Sequence, residues 1–186
     1  MKLIILRGLL GSGKTELANK LAADLGAEVL HIDNFKTQIR KDFPGQYSWT
    51  EIKAKAYDSA LEYLAKAETN EVPVLVCEEL LQDKAFVRRL IDFCQEKGVE
   101  TSWFRVERSL EKLLELEQTP ERAKRPVHNS KEDFENLDRE IREIVIPDEK
   151  IIDNNGSLSE ALLEIENLLG GENLSRELSI ETQKIR

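Results

Sequence analysis

Apolar residues along this chain fall into two kinds of run that alternate. Short, nearly continuous runs rich in Val, Ile and Leu occupy 2–7, 28–32, 72–77, 99–106 and 149–153, as strands buried on both faces require. Between them the apolar positions recur at helical spacing: Leu17, Leu21 and Leu25; Ile52, Ala56, Ala60, Leu64 and Ala67; Phe86, Leu90 and Phe93; Leu158, Leu162, Ile165 and Leu169. Each set marks one face of a helix. The punctuation agrees, since Ser48-Trp49-Thr50-Glu51 opens the long helix as a capping sequence, Gly98 closes the next and Gly170-Gly171 the last. Strands alternating with helices predict an α/β fold in three layers, α/β/α, around a five-stranded parallel sheet.

One stretch breaks the alternation. Residues 119–131, TPERAKRPVHNSK, carry two prolines and four basic residues without a helical apolar stripe, and read as a mobile loop. After residue 170 the chain turns polar and charged, which marks 1–170 as the domain and 171–186 as a polar tail. A domain of this length buries roughly 70% of the surface its unfolded chain exposes.

Composition narrows the setting. The 36 acidic residues outnumber the 27 basic ones for a net charge of −9, which argues against coating long nucleic acid, a task driven by cations displacing counterions. Cys77 and Cys94 lie inside apolar patterns without paired spacing, so neither a disulfide framework nor a zinc site is expected. No apolar run approaches the roughly 20 residues of a membrane helix, and the opening MKLIILRG is too short for a signal peptide. The expectation is a cytoplasmic protein, monomer or homodimer, with no membrane partner.

The chemistry begins at Gly8-Leu9-Leu10-Gly11-Ser12-Gly13-Lys14-Thr15, directly behind the first strand and ahead of the first helix. It matches G-x-x-x-x-G-K-[ST] in the required strand-loop-helix context. Gly8, Gly11, Ser12 and Gly13 let backbone N–H groups turn inward around phosphates, and the helix N-terminus adds positive potential. Lys14 then reaches the β and γ phosphates of ATP, and the Thr15 hydroxyl holds Mg²⁺.

Two further strand ends carry acids. Val74-Leu75-Val76-Cys77 runs into Glu78-Glu79; Glu78 is the candidate acid supporting Mg²⁺, with Glu79 able to exchange roles. The second strand delivers Asp33-Asn34-Phe35-Lys36 at the edge where doubly wound sheets bind ligands. Asp33 is the candidate base for an attacking hydroxyl. Lys36 and Arg40, one helical turn apart, are candidate ligands for an anionic part of the acceptor.

Taken in order, GLLGSGKT, DNFK, VCEELL and ERAKRPV resemble the small P-loop kinases of the polynucleotide kinase and zeta toxin type, over about residues 1–170. The resemblance implies a P-loop NTPase fold with a mobile lid and transfer of the γ-phosphate of ATP to a hydroxyl. In that family a second-strand motif of Asp, two residues and then Arg supplies the base and an acceptor-phosphate ligand. Asp33 matches, but Lys36 stands for the Arg, and lysine cannot make the bidentate grip of a guanidinium. The lid arginine of the family matches Arg122, with Arg125 a second candidate; either would stabilise charge on the transferring group. The family's last strand and turn lie against adenine, which puts Ile152-Asp153-Asn154-Asn155-Gly156, and Asn154 in particular, at the nucleotide.

His31 and His128 are assigned packing and solvated roles, and Tyr47 and Trp49 the packing at the start of the long helix. A nucleoside, another small metabolite or a polynucleotide 5′ end would each serve as acceptor. Other readings are an ATPase driving a shape change and a silent nucleotide binder; a GTPase would need an N-K-x-D motif after the fourth strand, and none occurs there.

Overall fold

The computed structural model describes residues 1–124 and 128–170. Five strands, β1 (Lys2–Arg7), β2 (Glu28–His31), β3 (Val74–Glu79), β4 (Glu100–Glu107) and β5 (Lys150–Asp153), form one sheet in the order β2-β3-β1-β4-β5. Every neighbouring pair is parallel. The described helices are α1 (Lys14–Leu25), α2 (Ile32–Asp42), α3 (Trp49–Thr69), α4 (Lys84–Lys97), α5 (Leu110–Glu117), α6 (Pro120–Ala123), α7 (Lys131–Arg142) and α8 (Leu158–Leu168). The expected three-layer α/β/α arrangement is therefore present.

Alternation along the strands feeds two cores. Leu3, Ile5, Leu75, Cys77 and Trp103 point to one face and pack with Ala56, Ala60 and Leu64 of α3 and Phe86 and Leu90 of α4. Ile4, Leu6, Val74, Val76, Phe104 and Ile152 point to the other, under Leu17 and Leu21 of α1 and Leu162 and Ile165 of α8. Each fully buried aliphatic side chain contributes roughly 1.5–3 kcal/mol. Among the described residues no helix is long and apolar enough to cross a membrane.

Several boundaries differ from the sequence expectation. β3 runs to Glu79, two residues past the expected end, because Glu78 and Glu79 stay in register with Leu6 and Arg7. Ile32 leaves β2 to begin α2. Within 119–131 a short helix forms at Pro120–Ala123, and Ser130 caps α7 through a reciprocal bond pair with Asp133. The predicted cap at Ser48 is a full capping box with Glu51.

The chain leaves β1 toward β3 and β2 on one side and toward β4 and β5 on the other. The crevice opened by that reversal, at the carboxyl ends of the strands, is where such sheets bind ligands. The loop at 8–15 and the acids ending β2 and β3 all lie on this edge.

Candidate active site

The loop after β1 needs glycine for geometric reasons. Gly8 has φ 143° and Gly13 φ 94°, both outside the range L side chains adopt readily. A Cβ on Gly8 would collide with the Val106 carbonyl oxygen, and one on Gly13 with the Asn154 side-chain amide. Behind these glycines Ser12 is fully buried, and its Oγ has no partner among the described residues. The cradle is closed by Lys14, whose Nζ donates to the Leu9 carbonyl oxygen at 2.8 Å. Burial drives the Lys14 pKa below its ordinary value against the pull of Glu78, Glu79 and Asp33. Thr15, next in the chain, is exposed at the mouth.

Asn154 supports this loop from outside. Its Nδ2 donates to the Ser12 carbonyl oxygen at 2.7 Å, and its backbone N–H to the Glu107 carbonyl oxygen at 2.9 Å. Arg108 adds a second tie, donating from Nη1 to the Gly11 carbonyl oxygen and from Nε to the Asn154 carbonyl oxygen, each at 3.0 Å. Asn154 thus meets the phosphate loop through the loop's own backbone. Arg108 is a residue the sequence reading missed; its position just past β4 is the signal that points to this edge.

Period-2 alternation separates the two acids that end β3. Glu78 turns to the α1 face, where its Oε1 lies 2.9 Å from His31 Nδ1; His31 Nε2 lies 3.1 Å from Asn19 Oδ1 on α1. Glu79 turns to the α3 face, where Oε2 accepts from Lys36 Nζ at 2.6 Å and Oε1 from the Leu80 N–H at 2.9 Å. His31 therefore does more than pack at a sheet edge: it steadies Glu78.

Lys36 joins two carboxylates. Besides Glu79 it donates to Asp33 Oδ1 at 2.8 Å, and its Nζ lies 5.8 Å and 5.9 Å from the ring centres of Tyr57 and Trp49. Burial lowers the Lys36 pKa, but Glu79 and Asp33 outweigh it and the net shift is upward. Burial raises the Glu79 pKa, Lys36 opposing. Asp33 is 69% exposed at its side chain, so its free carboxylate edge faces the crevice mouth. Arg40 stacks over Trp49 at 4.5 Å, and Tyr47 packs edge-on against Phe43 under Lys55.

On the lid side, Arg122 comes close to the phosphate loop: its Nη2 lies 3.5 Å from where a Cβ on Gly11 would stand. Its Nη1 donates to Glu117 Oε1 at 2.8 Å, and Glu117 Oε2 accepts from the Asn129 N–H at 3.2 Å. Arg125 lies outside the described residues, with the proline-valine step after it. His128 is half exposed, 3.9 Å from Glu117.

Two cavities flank the loop. One of about 310 Å³ is lined by Arg108, Lys112, Leu116, Thr119 and Asn154–Gly156, the side on which the resemblance puts adenine. A larger one, about 530 Å³, lies between α5, α7 and the ends of β4 and β5. Its arginines are committed: Arg105 to Glu107, and Arg142 to Glu107 and Asp138. Beside it Arg7, wholly buried, donates to the carbonyl oxygens of Ile141 and Ile144 and pairs with Glu149, fastening the end of α7 to β1. This too was not anticipated from the sequence.

Among the described residues no group of three His, Cys, Asp or Glu gathers for a metal. Mg²⁺ asks for no such cage, because it is held by one or two protein oxygens together with phosphate oxygens and water. A hydroxyl at Thr15 and a carboxylate at Glu78 are hard oxygen donors that fit it.

A family model described as an AAA domain matches residues 3–144. No curated protein matches the chain in sequence. Among solved structures the chain is similar to the Deinococcus radiodurans tunicamycin resistance protein, with TM-score 0.70, 21% identity and 91% of this chain covering 96% of that one. It is also similar to the Mycobacterium tuberculosis APS kinase in complex with AMPPNP and APS (TM-score 0.63, 16% identity, 90% and 96% covered). A deoxyadenosine kinase from M. mycoides aligns at TM-score 0.60 and 16% identity over 90% and 98% of the two chains. The chain belongs to the AAA domain family and has the fold of the P-loop kinases.

Proposed function

We propose that this protein is an ATP- and Mg²⁺-dependent phosphotransferase that moves the γ-phosphate of ATP to a hydroxyl of an acceptor bound beside Asp33. One observation carries the reading: the strand β3 stands between a phosphate grip and a second charged cluster, with Glu78 turned to the first and Glu79 to the second. An enzyme that only hydrolyses ATP has no need of the second cluster. The kinase names of similar structures support a donor site of this kind.

In this reading Gly8, Gly11, Ser12, Gly13 and Lys14 hold the triphosphate, with Asn154 and Arg108 fixing the loop's backbone. Thr15 and Glu78 would hold Mg²⁺, which would supply neutralising charge to the triphosphate. Asp33 accepts the proton of the attacking hydroxyl; a base so placed is worth roughly 10²–10⁴ in rate. Lys36 fixes the Asp33 side chain through the 2.8 Å contact. Arg122, and Arg125 as a second candidate, stabilise charge on the transferring group from the lid side. Glu117 holds Arg122 near the loop.

The test uses γ-labelled ATP, Mg²⁺ and a panel of hydroxyl compounds. Acceptor-dependent transfer, lost in both Lys14→Ala and Asp33→Asn, is the expected result. Label released only as free phosphate, with or without acceptors and untouched by Asp33→Asn, would make the protein an ATPase.

A further inference from the structure

The charge balance around Lys36 says what kind of acceptor fits. Lys36 is buried, and two of its three ammonium protons are already given to Glu79 and Asp33, at 2.6 Å and 2.8 Å. The rings of Tyr57 and Trp49 flank the remaining side. One cation is thus set against two carboxylates, and the cluster is net negative. Of the other cations on this helix, Lys41 is exposed in the last turn, and Arg40, one turn further from Asp33 than Lys36, stacks on Trp49. Lys14 is turned into the phosphate cradle. Among the described residues, an anionic group brought next to Asp33 would meet carboxylates whose nearest cation, Lys36, is already shared between them, and such like-charge juxtaposition is a strong bar to a wrong partner.

We infer that the acceptor presents an uncharged, hydroxyl-bearing face to Lys36, with no phosphate or carboxylate beside the reacting hydroxyl, and that Glu79 sets this preference. Glu79 acts by occupying Lys36: held by two carboxylates, the lysine is not available as an anion ligand. Trp49, 47% exposed, gives such an acceptor an aromatic surface against which a sugar or nucleoside ring can lie, while Tyr57 is buried against Phe86. The inference rests on the phosphotransfer reading, and narrows its acceptor to sugars and nucleosides not phosphorylated next to the reacting hydroxyl.

The experiment compares matched probes on the full chain. With AMPPNP and Mg²⁺ filling the donor site, calorimetric titrations measure uridine against uridine 3′-monophosphate, adenosine against adenosine 3′-monophosphate, and glucose against glucose 6-phosphate. Label transfer from ATP to the same compounds is measured in parallel. The uncharged member of at least one pair should bind about 10²-fold tighter than its phosphorylated partner. In Glu79→Gln, which leaves Lys36 one carboxylate short, the ratio should shrink at least about 10-fold. Phosphorylated members binding as well as uncharged ones overturn the inference; so does a ratio unchanged in folded Glu79→Gln, and so does the absence of binding by every uncharged probe. The wild-type ratio decides even if Glu79→Gln does not fold. Binding in the expected order without transfer to any acceptor would instead overturn the kinase reading and leave the charge preference standing.

Discussion

Gly13→Ala tests the idea that Asn154 acts on the phosphate loop through its backbone. Two separate costs are written into the geometry. Gly13 sits at φ 94°, and placing a Cβ on a left-handed backbone costs roughly 1–2 kcal/mol. The new methyl would also overlap the Asn154 amide nitrogen, so Asn154 must swing away and give up its 2.7 Å bond to the Ser12 carbonyl oxygen. Losing a partner of a buried carbonyl costs about 1–3 kcal/mol. The single variant should therefore lose about 2–5 kcal/mol in equilibrium urea unfolding. Asn154→Ala alone forfeits only the bond and should lose about 1–3 kcal/mol. In the double variant the bond is lost once and the clash has no partner, so the loss should fall short of the sum of the singles by at least about 1 kcal/mol. Distant sites add to within about 0.5 kcal/mol. Additivity within that margin would show that Gly13 and Asn154 do not share the strain, and the supporting role of Asn154 would have to be abandoned.

The two acids of β3 should separate kinetically: Glu78→Gln should raise the Mg²⁺ concentration needed for half-maximal transfer, while Glu79→Gln should leave that requirement unmoved and change acceptor KM. Arg122→Ala should lower single-turnover transfer by at least about 10³-fold, the low end for a cation stabilising a transferring phosphoryl group, with little change in AMPPNP affinity. Arg7→Ala leaves Glu149 without its bidentate partner in a buried setting and should cost about 3–5 kcal/mol, read by urea unfolding. Glu160 accepts from the backbone N–H and then the hydroxyl of Ser157, which together hold its carboxyl below the usual value. A lowered acid adds stability above the unfolded pKa, near 4, and loses it as pH falls through the folded value. Glu160→Gln should therefore be less stable than wild type at pH 7, and the gap in melting temperature should close toward pH 3.

The parts of the fold that could be read from the sequence are those whose side chains report their surroundings directly. Strands β1 and β3 are visible because both faces are buried, so apolar residues run on with little interruption, whereas β2, β4 and β5 are only partly buried and show as shorter apolar runs. Helices α1, α3, α4 and α8 were visible because each turns a broad stripe to a core. Helices α5 and α7 were not, and the reason is local: α5 buries only Leu113, and α7 only Phe134 and Ile141. Their apolar stripes, Leu110, Leu113 and Leu114 in α5 and Phe134, Leu137 and Ile141 in α7, are short and set among charged residues, and the tie from Arg7 to the end of α7 leaves no periodic trace at all. In the same way β3 was cut short at Cys77 because charged residues read as the end of a strand, whereas Glu78 and Glu79 are kept in register by backbone bonds that any residue could make.

The site was legible to a different depth in each half. A phosphate loop binds with main-chain N–H groups, and the glycines that free the main chain are themselves the signal, so its position can be read directly. The acceptor half is made of side chains whose meaning depends on their partners. Asp33, Lys36 and Glu79 could each be named from position, yet Lys36 as an anion ligand and Lys36 as the counterion of two carboxylates are the same letter in the sequence. The contact that favours the second is that Glu79, on the face of β3 opposite to Glu78, reaches the ammonium at 2.6 Å. The replacement of a family arginine by lysine then becomes intelligible. A guanidinium spans two oxygens of one anion, whereas an ammonium among two carboxylates and two rings serves as a compact internal countercharge. On this argument Lys36→Arg should not create a grip on anionic acceptors while Glu79 remains, and Lys36→Arg combined with Glu79→Gln should; transfer to adenosine 3′-monophosphate by the single and double variants decides it, and equal transfer by both would remove Glu79 from the explanation.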